Sequence, residues 1–246
     1  MLIVAASMEQ ELVGLRRELL DIEEATGIKP DVEFHVLGVG PDRAGATLST
    51  LLSNKPSNLK GVLLIGVAGG VDSELETGDL VLADRYALQN GAAQGAGRAI
   101  SPDGLMFKSA QQAALDLSVP MFNGAALTVD HLVVEIEERK HLRERYQASS
   151  VNMEDYRVAD AAQKAGVPFV SVRVILDTAN QKLPGYLPGL AKSPYKVITN
   201  VVLMPWRIPT MLRLKKQLRL CQAVLTNFSL SYMRTTGVIE LSLIHI

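Results

Sequence analysis

Strand-like and helical patterns alternate along most of this chain, and that alternation restricts the fold more than any other feature. Apolar runs typical of buried strands occur at 2–7, 34–40, 61–70, 79–88, 124–129 and 168–176. Between them, the apolar spacing of helices occurs at 8–20, 41–53, 108–118, 135–147 and 155–165. Such alternation indicates an α/β fold built around a largely buried sheet. The sequence therefore predicts one α/β domain over residues 1–230.

Composition sets mild bounds on the class of protein. The chain has 246 residues, of which 48% are apolar, and this is sufficient for a packed core. The N-terminal apolar run is too short for a secretion signal, and no uninterrupted run of 18 apolar residues occurs. The single cysteine, Cys221, leaves no internal disulfide and fits a reducing compartment. We therefore expect a cytoplasmic protein.

The segment 90–107 is rich in Gly and Ala and has weak periodicity, so it predicts a long loop. Charge is also distributed unevenly along the chain. Residues 178–239 contain nine Lys or Arg and no Asp or Glu, whereas residues 1–177 contain 16 basic and 25 acidic residues. This asymmetry indicates either a basic helix packed on an acidic body or a surface for an anionic partner.

A basic amphipathic helix is predicted at about 206–228. Apolar residues recur there at helical spacing with cations between them: Met211, Leu214, Leu218, Cys221 and Leu225, with Arg213, Lys215, Lys216 and Arg219. Core packing is the commoner reason for such a stripe. Peripheral membrane contact is the alternative, because Trp206 and the cations are typical of interfacial helices. Residues 231–246 stay unassigned, and 241–246 read as non-native adapter sequence.

Small and acidic residues follow several of the predicted strands. Gly38-Val-Gly40 and Gly66-Val-Ala-Gly-Gly70 could let a ligand approach the backbone closely, or could be simple turns. Neither matches a dinucleotide fingerprint or a P-loop. Glu11 could complement the dipole of the first helix or activate water as a general base. Glu154 and Asp177 flank apolar runs, so we expect their carboxylates at the rim of the sheet, where ligands bind.

Four motifs in one order carry a family resemblance: SMEQE, GVG, GVAGGVDSELETGDLVLAD and VNMEDYRVADAAQKAGVPFVSVRVILD. Together they resemble the nucleoside phosphorylase/nucleosidase superfamily over roughly residues 1–180, especially its methylthioadenosine/adenosylhomocysteine nucleosidase-like branch. The resemblance implies a single-domain, three-layer fold with a central mixed sheet flanked by helices. It implies cleavage of the N-glycosidic bond of an adenosine-type purine nucleoside by water or phosphate. Phosphate would then be a co-substrate, and no cofactor or metal is expected.

Roles follow by resemblance. Asp177 would match the acid at purine N7, with Arg173 nearby, and Glu11 would match the residue that positions water. Glu154 would match the carboxylate that holds the ribose hydroxyls, with Met153 under the sugar. Further substrate-binding positions would be Gly40, Val67, Ala68, Gly69 and Asn152. The same resemblance implies a homo-oligomer that binds a small-molecule nucleoside. No nucleic-acid partner is expected, because the basic C-terminal segment lacks interleaved aromatic residues and any recognised nucleic-acid-binding module.

Four positions depart from the family pattern. Val67 stands in place of Ser or Thr, Leu176 in place of Ser, Asn152 in place of Glu, and Leu132 in place of a base-stacking Phe. His131 falls near a substrate loop by resemblance. These departures make the reaction class better founded than the substrate.

The sequence leaves two alternative functions open. The C-terminal segment resembles that of the hopanoid-associated phosphorylases, which implies an adenosyl lipid as substrate. The departures also allow a catalytically inactive nucleoside-binding module. Retention of Glu11, Glu154, Arg173 and Asp177 together argues against the inactive module.

Overall fold

Seven strands and six helices make up the part of the chain that the structure, a computed structural model, describes: residues 1–89, 99–185 and 208–239. The strands are β1 (Leu2–Ala6), β2 (Val32–Val36), β3 (Gly61–Gly70), β4 (Leu80–Leu88), β5 (Met121–Thr128), β6 (Ala148–Asn152) and β7 (Phe169–Asp177). The helices are α1 (Val13–Thr26), α2 (Pro41–Ser53), α3 (Gly104–Asp116), α4 (Ile136–Tyr146), α5 (Asp155–Lys164) and α6 (Ile208–Thr235).

The strands form one mixed sheet, as predicted. β1 pairs in parallel with β2 and β3, and β3 pairs in parallel with β7 and antiparallel with β6. β4 pairs antiparallel with β7 and in parallel with β5, which in turn pairs in parallel with β6. Because β3 pairs with both β6 and β7, five strands close into a ring, and β1 and β2 extend the sheet beyond β3.

Helices cover both faces of the sheet, which confirms the layered α/β prediction. Side chains of β1 alternate between the faces. Leu2, Val4 and Ala6 enter one apolar core, which also contains residues of α1, α3 and α6. Ile3 and Ala5 enter the other core, with residues of α2 and α5. Every residue of β1 is therefore buried, as expected for a strand covered on both sides.

Some predicted boundaries differ from the structure. The predicted helix over 8–20 is a short 3-10 turn at Glu9–Glu11 followed by α1. The predicted strand over 34–40 ends at Val36, because Gly38 and Gly40 have φ of 88° and 102°. Such left-handed backbone is compatible with a turn rather than a strand. β6 was missed, since its sequence ASSVN holds few apolar residues.

The predicted loop over 90–107 is partly wrong. Gly104 to Phe107 begin α3, because the Asp103 carboxylate caps the helix and accepts the backbone N–H groups of Leu105 and Met106, each at 3.0 Å. Residues 90–98 lie outside the described residues.

The basic helix is present as α6 and extends to Thr235, beyond the predicted end at 228. Trp206 lies outside the described residues. Cys221 and Leu225 are fully buried, whereas Met211, Leu214 and Leu218 are half-buried. The second half of α6 thus belongs to the core, and the first half lies at the surface. Across the described ranges, no helix is long and apolar enough to cross a membrane.

The buried half of α6 supports the strand ends that carry the candidate site. The Gln222 side-chain amide donates to the backbone oxygen of Gln10 at 2.8 Å, next to Glu11. The Cys221 thiol donates to the backbone oxygen of Ile175 at 3.3 Å, two residues before Asp177. α6 therefore fixes both the turn and the strand on which the candidate acidic residues lie.

Candidate active site

The predicted site residues lie along the second halves of the parallel strands β3 and β7 and just beyond the end of β1. Glu11 lies in the turn after β1, Arg173 and Asp177 lie on β7, and Glu154 lies just after β6. In open α/β sheets and in closed α/β barrels alike, ligands bind at the carboxyl ends of the parallel strands. The fold therefore gathers residues far apart in sequence at the place where a ligand is expected.

Glu11 is buried, and both of its carboxylate oxygens accept backbone N–H groups. Oε2 accepts from Met8 at 2.9 Å, and Oε1 accepts from Val67 at 2.9 Å. Burial raises the pKa of Glu11, although Arg173 and the two N–H donors oppose the rise. A buried carboxylate held at a fixed angle, with a pKa raised towards neutrality, is suited to act as a general base.

Arg173 is the cationic centre of the site and is only 1% exposed. Its Nε donates to Asp155 Oδ1 at 2.9 Å, and a terminal nitrogen of the same guanidinium also pairs with that oxygen. The terminal nitrogen lies 3.7 Å from Glu154 Oε2. Burial lowers the pKa of Arg173, but Asp155 and Glu154 outweigh it and raise the pKa overall. The guanidinium is thus charged and already paired.

The position of Glu154 is fixed from two directions. Its Oε1 accepts the backbone N–H of Gly40 at 3.0 Å. Asn152 Oδ1 accepts the backbone N–H groups of Glu154 at 3.0 Å and Asp155 at 2.8 Å, so it fixes the backbone just before α5. The Thr128 hydroxyl donates to the same oxygen at 3.1 Å. Asn152, predicted to bind substrate, therefore uses its oxygen to hold Glu154 in place.

Asp177, the last residue of β7, is paired with a second buried arginine. A terminal nitrogen of Arg139, in α4, forms an ion pair with Asp177 Oδ2. Burial raises the pKa of Asp177, and Arg139 opposes that rise. Arg173 and Asp177 are four residues apart on β7, so their Cα atoms lie roughly 13 Å apart along the strand. Arg173, expected near the acid, is instead paired with Asp155 and Glu154.

The backbone of β3 runs between these two groups. Gly66 pairs with Arg173, and Gly69 pairs with Asp177. A Cβ at Gly66 would lie 2.3 Å from an Arg173 nitrogen and 2.7 Å from Glu11 Oε1, so only glycine fits there. Val67 is half-buried and Ala68 is buried, and they complete the strand between the two groups.

Other predicted positions lie near the site with less defined contacts. Met153 and Leu132 are half-buried, and Leu176 is half-buried beside Asp177. His131 is paired with Asp130 at 2.6 Å and Glu138 at 2.7 Å, and those hydrogen bonds raise its pKa. Within the described ranges, no group of three or more His, Cys, Asp or Glu side chains could hold a metal ion.

An open cavity of about 280 Å³ borders the site on the side of Glu154. Pro41, next to Gly40, and Thr128, which is bonded to Asn152, line it together with Asp42, Asp130 and Arg157. The cavity therefore continues from the residues that hold Glu154 towards solvent.

Two residues of the site were missed in the sequence. Asp155 directly follows Glu154 at the start of a helix, where an acidic residue usually just complements the helix dipole. Arg139 lies in the charged run EERKHLRER, which is typical of a solvated helix. The only signal for Asp155 is its position next to Glu154 within a family motif, and the sequence gives no signal for Arg139.

Comparison with known proteins places this chain in a family. Residues 31–187 match the phosphorylase superfamily. A 5′-methylthioadenosine/S-adenosylhomocysteine nucleosidase of Bacillus pumilus (strain SAFR-032) is 27% identical over 199 residues, which cover 73% of this chain and 86% of the relative. The protein of the same name from Staphylococcus aureus (strain JH9) is 24% identical over 196 residues, which cover 72% of this chain and 86% of that relative.

Solved structures show the same fold at low identity. The nucleosidase of the same name from Neisseria meningitidis, in complex with methylthio-immucillin-A, has a TM-score of 0.71 at 18% identity. The superposition covers 95% of this chain and 98% of the Neisseria chain. Futalosine hydrolase of Helicobacter pylori has a TM-score of 0.69 at 17% identity, with coverages of 93% and 96%. The closed mixed sheet with helices on both faces defines the α/β class that these structures share. The family match spans well over half of the sequence, and the chain belongs to the phosphorylase superfamily.

Proposed function

We propose that this protein cleaves the N-glycosidic bond of an adenosine-type purine nucleoside, with water as nucleophile, and releases the free base. One observation supports this most: Glu11 and Arg173 converge on Gly66, while Asp177 pairs with Gly69, three residues further along β3. A nucleoside lying along β3 would then have its ribose near Glu154 and its purine near Asp177. The four retained polar residues are thus arranged for chemistry, which disfavours an inactive binding module.

In the proposed reaction, Glu11 acts as the general base and Asp177 as the general acid. Glu11 takes a proton from water as the water oxygen forms a bond to ribose C1′. The bond between C1′ and purine N9 breaks, and its electron pair goes to the purine. Asp177 gives its proton to purine N7, so the base leaves neutral. Glu154 holds the ribose hydroxyls, and its negative charge favours the cationic character that develops on the ribose.

The charges around Arg173 favour water over phosphate. Its guanidinium faces Asp155, Glu154 and Glu11, three carboxyl groups around one cation. The Val67 N–H group, in the second half of β3, donates to Glu11. An incoming phosphate dianion would meet net negative charge and would need to displace Glu11 from its donors. Val67 also lacks the hydroxyl that Ser or Thr would offer to such an anion.

Adenine release in the presence and absence of phosphate tests the choice of nucleophile. We expect equal rates in both conditions, with free ribosyl product. Strict phosphate dependence, with a ribosyl 1-phosphate as product, would refute the water version and leave phosphorolysis. Glu11→Ala should abolish turnover with water, because it removes the proposed base.

The substrate is defined only to its class. The curated relatives are named for methylthioadenosine and adenosylhomocysteine, and one solved neighbour is a futalosine hydrolase. We propose that the 5′ substituent enters the cavity beside Thr128 and Pro41. Screening adenosine, methylthioadenosine, adenosylhomocysteine and an adenosyl lipid for base release would rank these substrates. No release from any of them would refute the proposal.

An adenosyl lipid is the second candidate, because the first half of α6 is suited to an anionic membrane surface. Leu212 and Leu220 are 61% and 48% exposed, and Arg213, Lys215, Lys216 and Arg219 lie between them. We propose peripheral contact through this half-helix. Flotation with phosphatidylglycerol vesicles tests it: the wild type should co-float, and Lys215→Glu/Lys216→Glu should not. The same double substitution should leave methylthioadenosine cleavage unchanged.

We further propose that the enzyme is a cytoplasmic homo-oligomer. Buried, free Cys221 suits a reducing compartment, and oligomers are usual for proteins of this kind by resemblance. Light scattering on the purified protein would give the subunit number, and a mass of one subunit would refute the oligomer.

A further inference from the structure

Arg139 is held more firmly than a surface cation on a helix would be. Its side chain is 1% exposed, although it lies in a charged run of α4. One terminal nitrogen donates to the backbone oxygens of Gly70 at 3.1 Å and Thr178 at 3.2 Å. The other donates to the backbone oxygen of Val133 at 2.8 Å and pairs with Asp177. Three separate chain segments therefore fix the guanidinium.

This arrangement fixes the carboxyl group of Asp177 as well. Arg139 and Asp177 both pack against Gly69, where a Cβ would lie 3.3 Å from each of them. The pair therefore fills the space at the end of β3, and Asp177 Oδ2 is turned towards the guanidinium. Oδ1 is the oxygen that the ion pair with Arg139 does not use.

We propose that Arg139 is a positioning residue, which orients Asp177 and sets the pH above which Asp177 can no longer give a proton to the purine. This inference rests on the proposed role of Asp177 as the acid. A neighbouring guanidinium stabilises the carboxylate, so Arg139 shifts Asp177 towards its ionised form. Burial acts in the opposite direction. Arg139 thus limits how far burial raises the pKa of Asp177, so that the carboxyl group can still release its proton.

Other titratable groups around Asp177 do not provide this control. Cys221, from α6, faces Asp177, but burial raises the pKa of its thiol to about 12, so it stays neutral over the working range. β3 contributes only Gly69 and Gly70 to the contact. The charge of Arg139 is therefore the main local influence that opposes burial.

Arg139→Gln tests the proposal, with methylthioadenosine as substrate and adenine release as readout. Asp177 must be protonated to act, so activity falls as pH rises through its pKa. Without the cation this alkaline limb should move to higher pH by about one to three units. Arg139→Lys retains a charge without the fork of donors, so its limb should lie between those of Arg139→Gln and the wild type.

Arg143→Gln is the matched control. Arg143 lies one turn further along α4, pairs with Asp72 at 2.6 Å and donates to the backbone oxygen of Ala148. Its removal should leave the alkaline limb in place. A fall in kcat for both Arg139 variants with the limb unmoved would overturn the proposal, because it would show a structural role only.

Carbon-13 NMR titration of aspartate carboxyls, assigned with Asp177→Asn, separates this inference from the proposed function. The midpoint of Asp177 should be higher in Arg139→Gln than in the wild type, whether or not the protein turns over a nucleoside. If Arg139→Gln does not fold, Arg139→Lys carries the same comparison. Equal midpoints in the folded variants and the wild type would refute the role of Arg139. Absent adenine release by the wild type would refute the proposed function alone.

Discussion

Asp155 and Arg173 form a fully buried ion pair in which one carboxylate oxygen accepts hydrogen bonds from two nitrogens of the guanidinium. The pair joins the start of α5 to the middle of β7, and Arg173 Nε lies 2.9 Å from Asp155 Oδ1. A buried cation is tolerated only when it is paired and hydrogen-bonded. Asp155 thus allows a charged Arg173 to be buried next to Glu11 and Glu154.

Asp155→Asn should lower the free energy of unfolding by about 3–5 kcal/mol, because it leaves Arg173 short of its main counter-charge. Urea denaturation at neutral pH measures this change. Asp160→Asn, five residues later in α5, removes an exposed pair with Lys164 and should cost less than about 1 kcal/mol. Similar losses for the two variants would contradict the structural importance of the buried pair.

Asp177→Asn should lower kcat for base release by roughly 10²–10⁴-fold, since an amide cannot protonate purine N7. Binding of a nucleoside, measured by calorimetry, should remain detectable because Glu154 and Asn152 are unchanged. Asp116→Asn, at the exposed end of α3, serves as the control. Unchanged turnover in Asp177→Asn would show that another group supplies the proton.

Most of the fold could be predicted because its strands are apolar on both faces and its helices recur between them. β6 could not, because a strand of five residues with only Ala148 and Val151 as apolar members gives no recognisable run. Its burial depends on pairing with β3 and β5, which no local pattern records. The closure of the ring through β3 is likewise a long-range property.

The candidate site also contains residues that could be predicted from the sequence and residues that could not. Glu11, Glu154, Arg173 and Asp177 lie in motifs whose order could be recognised. Arg139 and Asp155 could not be predicted, since their burial depends on carbonyl groups and a guanidinium that are distant in sequence. A charged residue in a helix is usually solvated, and only the tertiary structure shows the exceptions.

Stability should respond to pH through Glu11. Burial raises its pKa in the folded state above the ordinary value of 4.5. The protonated form therefore stabilises the fold, and that contribution is fully present below the ordinary value and lost as pH rises through the folded-state pKa. Each unit by which the pKa is raised corresponds to roughly 1.4 kcal/mol.

Glu11→Gln cannot ionise, so its Tm relative to the wild type should increase as pH rises from about 4 to 8, by roughly 2–4 °C for each kcal/mol that the wild type loses. The trend is the readout, because the amide also loses one of the two backbone donors at every pH. Glu9→Gln, at an exposed neighbouring position, should follow the wild type. A Tm difference that is constant with pH would refute the raised pKa.

Gly66 should tolerate no side chain if Glu11 and Arg173 act from the positions described. The Cβ of Gly66→Ala would lie 2.3 Å from an Arg173 nitrogen and 2.7 Å from Glu11 Oε1, so one or both groups must move. A displacement near 1 Å can cost about 10²-fold in rate, and we expect that loss in kcat/KM. Gly104→Ala, where no atom lies within 4 Å of the new Cβ, is the matched control. Far-UV circular dichroism would confirm that both variants fold. A folded Gly66→Ala variant with wild-type kcat/KM would show that the arrangement of Glu11 and Arg173 around Gly66 is not the one that performs the reaction.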